Sequence, residues 1–216
     1  MGLGPNFINI MVLEDLRRAV FAGADMIIER ETELCSLDAF VGDGDHGVTV
    51  RKGYQKVKAA IEEDDPKTMG DLMMSAGMGL ADTAGGAIGP ILASMFLGFA
   101  SAIMGKDELG VKDLADMFAA GLKRVQDLGG AQPGDCTMVD TLYPFVESLK
   151  NAETDDVKEA LEAAAEKGFE GSEATRDMIP KLGRARNLAE RAIGYIDAGS
   201  RSMYYFLKGF ADNAVA

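Results

Sequence analysis

The stretch Leu37-Asp38-Ala39-Phe40-Val41-Gly42-Asp43-Gly44-Asp45-His46-Gly47 decides the fold. Its glycines at 42, 44 and 47 satisfy the spacing G-x-G-x-x-G, which in a βαβ unit would make the chain a doubly wound α/β protein. Two physical requirements of that reading fail. The fingerprint needs a preceding strand, and the residues before Gly42 read as helix. It also needs backbone amides to approach a pyrophosphate directly, whereas Asp43 and Asp45 would push one away. Two unit charges ~4 Å apart repel by ~4 kcal/mol at an effective dielectric of ~20, and only a cation between them reverses the sign. The stretch reads as an acidic break between helices.

Outward from this break the pattern is helical nearly everywhere. Leu16, Val20, Ala24, Ile27 and Leu34 recur at helical steps with one gap at Glu31, as do Val157, Leu161, Ala164 and Gly168, and then Met203, Phe206, Leu207 and Phe210. Convincing alternating strands are absent. Breaks fall at Gly42–Gly47, Asp64–Pro66, Gly85–Gly89, Gly105–Gly110, Gly129–Gly134, Asn151–Thr154 and Pro180–Gly183. They separate about eight segments of ordinary helix length, and short links favour neighbours that run up and down. Thr154 reads as a capping hydroxyl ahead of Asp155 and Asp156, and Pro144 as a kink. The expected fold is all-α, an antiparallel up-and-down barrel or bundle of about eight helices, in one domain spanning 1–216.

A divalent metal gives the acidic loop a purpose. Asp43 and Asp45 are two apart in a glycine-loosened loop, so both side chains can turn to one side, and Asp38 can supply a third carboxylate. Hard oxygen ligands without thiolate point to Mg²⁺, which keeps several waters and borrows phosphate oxygens. Three carboxylates beside ATP at roughly −4 are better balanced by two ions than by one. The same residues also read as a solvated acidic turn; a calcium loop would need more ligands and a terminal Glu. His46, the single histidine, reads as a phosphocarrier, as a general base, or as a ring that hydrogen-bonds the loop or a phosphate oxygen.

Later breaks carry phosphate-compatible chemistry. Gly85, Gly86, Ala87, Ile88 and Gly89 precede Pro90 and an apolar helix, a pattern for bare amides at a helix start or for close packing through small residues. Gly134-Asp135-Cys136-Thr137-Met138 opens another helix, with Asp135 a cap, Thr137 a phosphate donor and Asp140 helix surface or a cap partner. Arg184 and Arg186 follow Gly183, where Arg can grip phosphate or stack on a purine, and Asp197-Ala198-Gly199-Ser200 opens the last helix.

Composition limits the partners. The chain has 216 residues, 47% of them hydrophobic, and a formal net charge of −13, which argues against binding nucleic acid or an anionic membrane. Apolar runs fall short of the ~20 residues of a membrane helix, and the N-terminus lacks a signal-peptide pattern, so a cytoplasmic protein is expected. Cys35 and Cys136 read as free thiols, and with one histidine there is no zinc site of the usual ligand count.

Four elements together resemble one family. Leu37-Asp38 with Gly42-Asp-Gly-Asp-His-Gly47, Gly85-Gly86-Ala87-x-Gly89-Pro90, Pro133-Gly-Asp-x-Thr-Met138, and Gly183-Arg-Ala185 with Glu190-Arg191-x-Ile-Gly194 and Asp197-x-Gly199 are similar, in order, to the L subunit or nucleotide-binding domain of dihydroxyacetone kinases. The resemblance implies an eight-helix barrel with ADP or ATP at one end, two Mg²⁺ ions on Asp38, Asp43 and Asp45, and a nucleotide site lined by His46, Gly47, Val48, Thr49, Ala87, Ile88, Gly129, Met138, Arg184, Asp197, Ala198 and Gly199. It implies a triose bound on a separate K-type subunit, and ATP or a phosphotransferase-system protein as phosphoryl donor. Departures from the family pattern fall at Ile88, where Ser is usual, at Cys136, where Lys is usual, and at Tyr195 and Ala198, where His and Pro are frequent. They leave the metal carboxylates intact and bear on the substrate, so another short keto-sugar fits as well. A nucleotide-sensing module that binds a transcription factor would use the same metal triad.

Overall fold

The computed structural model describes residues 10–81 and 87–215. Nine α-helices lie among the described residues: α1 Leu13–Glu29, α2 Glu31–Val41, α3 His46–Asp64, α4 Met69–Ala81, α5 Ile88–Ile103, α6 Val111–Gly129, α7 Val139–Lys150, α8 Val157–Ala174 and α9 Ala198–Asp212. Eight of them close a ring in which each packs on the next, from α1 through α3, α4, α5, α6, α7 and α8 to α9, which returns to α1. The ninth, α2, continues α1 beyond a break at Arg30 and packs on α3 and α9. The gap in the apolar repeat at Glu31 is that break. The expected eight-helix barrel is therefore present with one strut added.

Aromatic side chains fill the barrel. Phe118 of α6 meets Phe99, Phe145 and Phe210 edge-on at centroid distances of 5.1, 4.8 and 5.3 Å, and Phe206 joins Tyr54 and Phe96 at 5.4 and 5.5 Å. Such offset contacts add about 0.5–1.5 kcal/mol per pair beyond burial, and they tie five helices, α3, α5, α6, α7 and α9, to one axis. Pro144 lies inside α7, where its ring removes the amide that would bond the Asp140 carbonyl. Gly171 of α8 fits against that carbonyl and the Pro144 ring, where any Cβ would clash.

Two local expectations change. The N-cap of α8 is Asp156, whose carboxylate accepts the Glu159 amide at 3.0 Å, while Thr154 accepts from Asp156 and donates to Glu159. The break expected at Pro180–Gly183 is far longer: between α8 and α9 the chain makes only 3-10 turns at Thr175–Asp177, Ala185–Asn187 and Ala189–Ala192. No helix among the described residues is long and apolar enough to cross a membrane.

Candidate functional site

Up-and-down topology brings alternate helix starts to the same end of the barrel, and a cavity of about 750 Å³ opens there. The N-cap residues of four helices line it: Asp45 of α3, Ala87 of α5, Met138 of α7 and Asp197 of α9. Each helix start carries roughly half a positive charge. At α9 the N-cap side chain is itself the cap, Asp197 accepting the Ser200 amide at 2.6 Å; the N-cap residues of α3, α5 and α7 make no such bond.

The acidic loop sits at the mouth. Asp38, Asp43 and Asp45 offer carboxylate oxygens that all lie within 4.8 Å of one another. Asp38 folds back from α2, and its Oδ2 accepts the amides of Asp45 and His46 at 3.1 and 3.3 Å. Glycine is required beneath it. A Cβ at Gly42 would lie 2.1 Å from Asp38 Oδ1, and Gly44 has a φ of +76°, which side chains rarely adopt. The Arg184 guanidinium forms an ion pair with Asp43 across the mouth. A cation thus already partners one carboxylate, and three hard oxygen donors at this spacing fit Mg²⁺.

Most of the sequence-nominated residues meet in this cavity. Asp38, Asp43, Asp45, His46, Val48 and Thr49 line it from α2, the loop and α3; Ala87 and Ile88 from α5; Gly129 from α6. Thr137 and Met138 line it ahead of α7, Arg184 from the irregular segment, and Asp197, Ala198 and Gly199 from α9. Gly47 does not line it. It is buried against α2, where a Cβ would lie 2.1 Å from the Glu31 carbonyl oxygen and 2.8 Å from Cys35 Sγ, so its part is close packing. Gly85 and Gly86 lie outside the described residues.

Other lining residues had not been singled out. Ile91, Val125, Ala131 and Leu182 join Ile88 and Met138 as an apolar wall, and Lys52 adds a cation from α3. Lys52 stands six residues beyond His46, with Thr49 midway, so three-residue spacing along one helix face could have found it. The wall could not have been found that way, because four separate segments build it. Asp135 is not a helix cap. It accepts the Gln132 amide at 2.8 Å and pairs with Lys181, joining the loop before α7 to the irregular segment. Asp140 is the cap partner, its buried carboxylate accepting the Gly134 and Thr137 amides.

Burial sets the electrostatics. His46 is pushed below its ordinary value by desolvation, partly offset by Asp38, so the ring is held neutral. Asp197 is raised to about 7, first by desolvation and then by Asp140 and Asp38, against the Ser200 hydrogen bond. The Cys136 thiol is raised to about 12 by burial, Asp197 and Asp140, and is not a nucleophile. Cys35 and Cys136 are both free, as expected. His46 Nε2 lies 2.9 Å from the Ser202 hydroxyl, a partner 156 residues away in sequence.

Residues 40–212 match the DAK2 domain family model. The chain is 36% identical over 191 residues to the ADP-binding subunit DhaL of PEP-dependent dihydroxyacetone kinase 2 of Listeria innocua, covering 87% of this chain and 88% of that one. It is 35% identical over 188 residues to the corresponding subunit of Escherichia coli strain K12, covering 86% and 90%. It is 36% identical to the D-erythrulose kinase of Mycolicibacterium smegmatis over 90% of this chain, spanning 34% of that protein. Among solved structures, the dihydroxyacetone kinase from C. freundii in complex with AMP-PNP and Mg²⁺ superimposes with a TM-score of 0.72 at 23% identity, over 98% of this chain and 36% of that one. This last likeness concerns the fold.

Proposed function

The chain belongs to the DAK2 domain family, and on that premise we propose that it is the ADP- or ATP-binding subunit of a dihydroxyacetone-type kinase, passing a phosphoryl group to a short keto-sugar held on a separate K-type subunit. One observation carries the reading: three carboxylates within 4.8 Å of one another stand beside the N-terminal ends of four helices, around one cavity. Carboxylates alone repel phosphate and helix starts alone attract it, so their juxtaposition suits a metal-bridged nucleotide.

Asp38, Asp43 and Asp45 would hold Mg²⁺, two ions being the better charge balance. Bound there, the metal neutralises phosphate oxygens during transfer. The chain's own groups do the rest. The starts of α5 and α7, with the Thr137 hydroxyl, would face the phosphates. Ile88, Ile91, Val125, Met138 and Leu182 offer an apolar wall to the adenine, and Arg184 supplies a guanidinium for charge developing on the transferred group.

The acceptor is the partner's to hold. The single histidine is engaged with Ser202. At its rim, exposed Phe40 stacks on Tyr195 at 4.8 Å beside exposed Ile193. Residues 176–196 carry five cations (Arg176, Lys181, Arg184, Arg186 and Arg191) against Asp177 and Glu190, in a chain of net charge −13. An aromatic and basic rim on an acidic protein suits docking of a second subunit with an acidic face. The names of relatives support a relayed phosphoryl donor, in PEP- and PTS-dependent kinases, and a four-carbon acceptor, in an erythrulose kinase.

The test is turnover of dihydroxyacetone or erythrulose with ATP, or with a phosphorylated relay protein, with and without a K-type subunit. The isolated chain should be inert, since positioning of the acceptor supplies about 7–11 kcal/mol of the barrier reduction. Robust turnover by the chain alone would overturn the two-subunit reading.

A further inference from the structure

α2 carries Asp38, yet little apolar burial holds it. Leu34 is the one buried residue among its 11, and a helix under ~12 residues is marginal in water without outside contacts. Polar contacts from two neighbours stand where a core would. From α3, the Arg51 guanidinium pairs with Glu31 at 2.6 Å. From α9, the Tyr205 hydroxyl donates to Glu33 Oε1 at 2.5 Å across 172 residues of sequence. The guanidinium of Arg30, at the break before α2, lies 5.0 Å from the centre of the Tyr205 ring. Arg201, itself paired with Glu173 of α8, lies 6.0 Å from the same ring. Tyr205 is 8% exposed, so a fixed phenol meets an otherwise exposed helix. Burial and then the Glu33 carboxylate push the phenol up to about 12, and the hydroxyl keeps the proton it donates.

We propose that Tyr205 is a positioning residue for the metal carboxylate Asp38, acting through Glu33 on the placement of α2; the proposal rests on the metal reading above. Leu34 and Asp38 are four apart and share one face of α2, and Glu33 adjoins it. Asp38 joins the triad only while α2 stays packed on α3. Its Oδ2 accepts the Asp45 and His46 amides at 3.1 and 3.3 Å, and the three carboxylates gather within 4.8 Å. Mg²⁺ tolerates little error in such an arrangement, since it demands near-octahedral oxygens at about 2.0–2.1 Å. Neither Tyr205 nor Glu33 is among the described residues that line the cavity. Their effect on the metal passes through a helix, and a variant of either leaves every ligand in place.

Titration of the isolated chain with Mn²⁺ beside equimolar ADP, read from the paramagnetic signal of the free ion, reports on the triad directly. Tyr205→Phe keeps the ring and removes only the hydroxyl. It should weaken Mn²⁺ binding roughly 10-fold, the low end for losing a partner that orients a ligand. Glu33→Ala should do the same, and the double variant no more than either, because the two act as one contact. Glu33→Gln keeps an acceptor oxygen and should recover most of the loss. Hydrogen exchange without metal should quicken across α2 in Tyr205→Phe and stay unchanged in α6. Asp156→Ala removes the cap of α8 and controls for general destabilisation; its Mn²⁺ affinity should match the wild type. Wild-type affinity in Tyr205→Phe, unaltered exchange in α2, or an equal loss in Asp156→Ala overturns the proposal. A wild-type chain that binds no Mn²⁺ overturns the metal reading itself, and the effect on Asp38 with it; exchange in α2 then still decides whether Tyr205 holds the helix.

Discussion

Asp197 caps α9 while standing within electrostatic reach of Cys136, Asp140 and Asp38, so one carboxyl serves a helix and burdens the cavity at once. Its folded value near 7 lies above the ordinary 3.8, the direction that desolvation and like charges impose. Between those two values the folded state holds more protons than the unfolded chain. Stability from this group therefore falls as pH rises through that window, and the whole penalty is present above about 7. Asn keeps the capping oxygen without the charge. Asp197→Asn should thus raise the melting temperature of the nucleotide-free protein at pH 8 and change it little at pH 4. Equal losses of stability at both pH values would show that the carboxylate is held by compensating contacts. Ser202 belongs to this scale too, and no sequence pattern could have paired it with His46. The bond spans 156 residues and follows from where α9 lands on α3.

At the scale of elements, the loop from Gly42 to Asp45 was legible because its chemistry is local. Alternating Gly and Asp demand both an unusual backbone and a cation, and the structure has φ of +76° at Gly44 and three carboxylates gathered within 4.8 Å. Helix existence was legible from apolar spacing, but the break at Arg30 falls inside what that spacing reads as one helix with a gap at Glu31. Less was legible between α8 and α9. Pro180 and Gly183 punctuate that segment, but its course is set by distant partners such as Asp135 to Lys181 and the Gly194 amide to the Arg176 carbonyl. Gly47 stands in the glycine pattern and also serves the contact of α3 with α2, a part that the pattern did not disclose. Gly47→Ala would press a methyl onto the Glu31 carbonyl and Cys35 Sγ, and should destabilise the fold by about 1–3 kcal/mol, as overpacking does. It should also weaken Mg²⁺ binding, because the start of α3 carries Asp45 and His46. Urea unfolding and metal titration measure the two effects. Wild-type stability would mean that α2 and α3 can separate without strain.

For the whole molecule, the barrel solves a charge problem that the composition poses. The nucleotide proposed for this chain is an anion on a protein of net charge −13, and up-and-down topology collects four helix starts at one end. At about half a charge each, those starts supply roughly two positive charges. Three carboxylates and a nucleoside diphosphate of roughly three negative charges exceed that by far, so the site is repulsive without added cations. Arg184 and Lys52 narrow the gap and cannot close it. The measurement that bears most directly on this account is titration calorimetry of ADP into the isolated chain, with millimolar Mg²⁺ and then with a chelator in its place. Metal removal should weaken ADP binding by at least about 100-fold, or ~2.7 kcal/mol. An affinity unchanged by the chelator would contradict the metal-bridged site, because Asp38, Asp43 and Asp45 would then be bystanders to nucleotide binding.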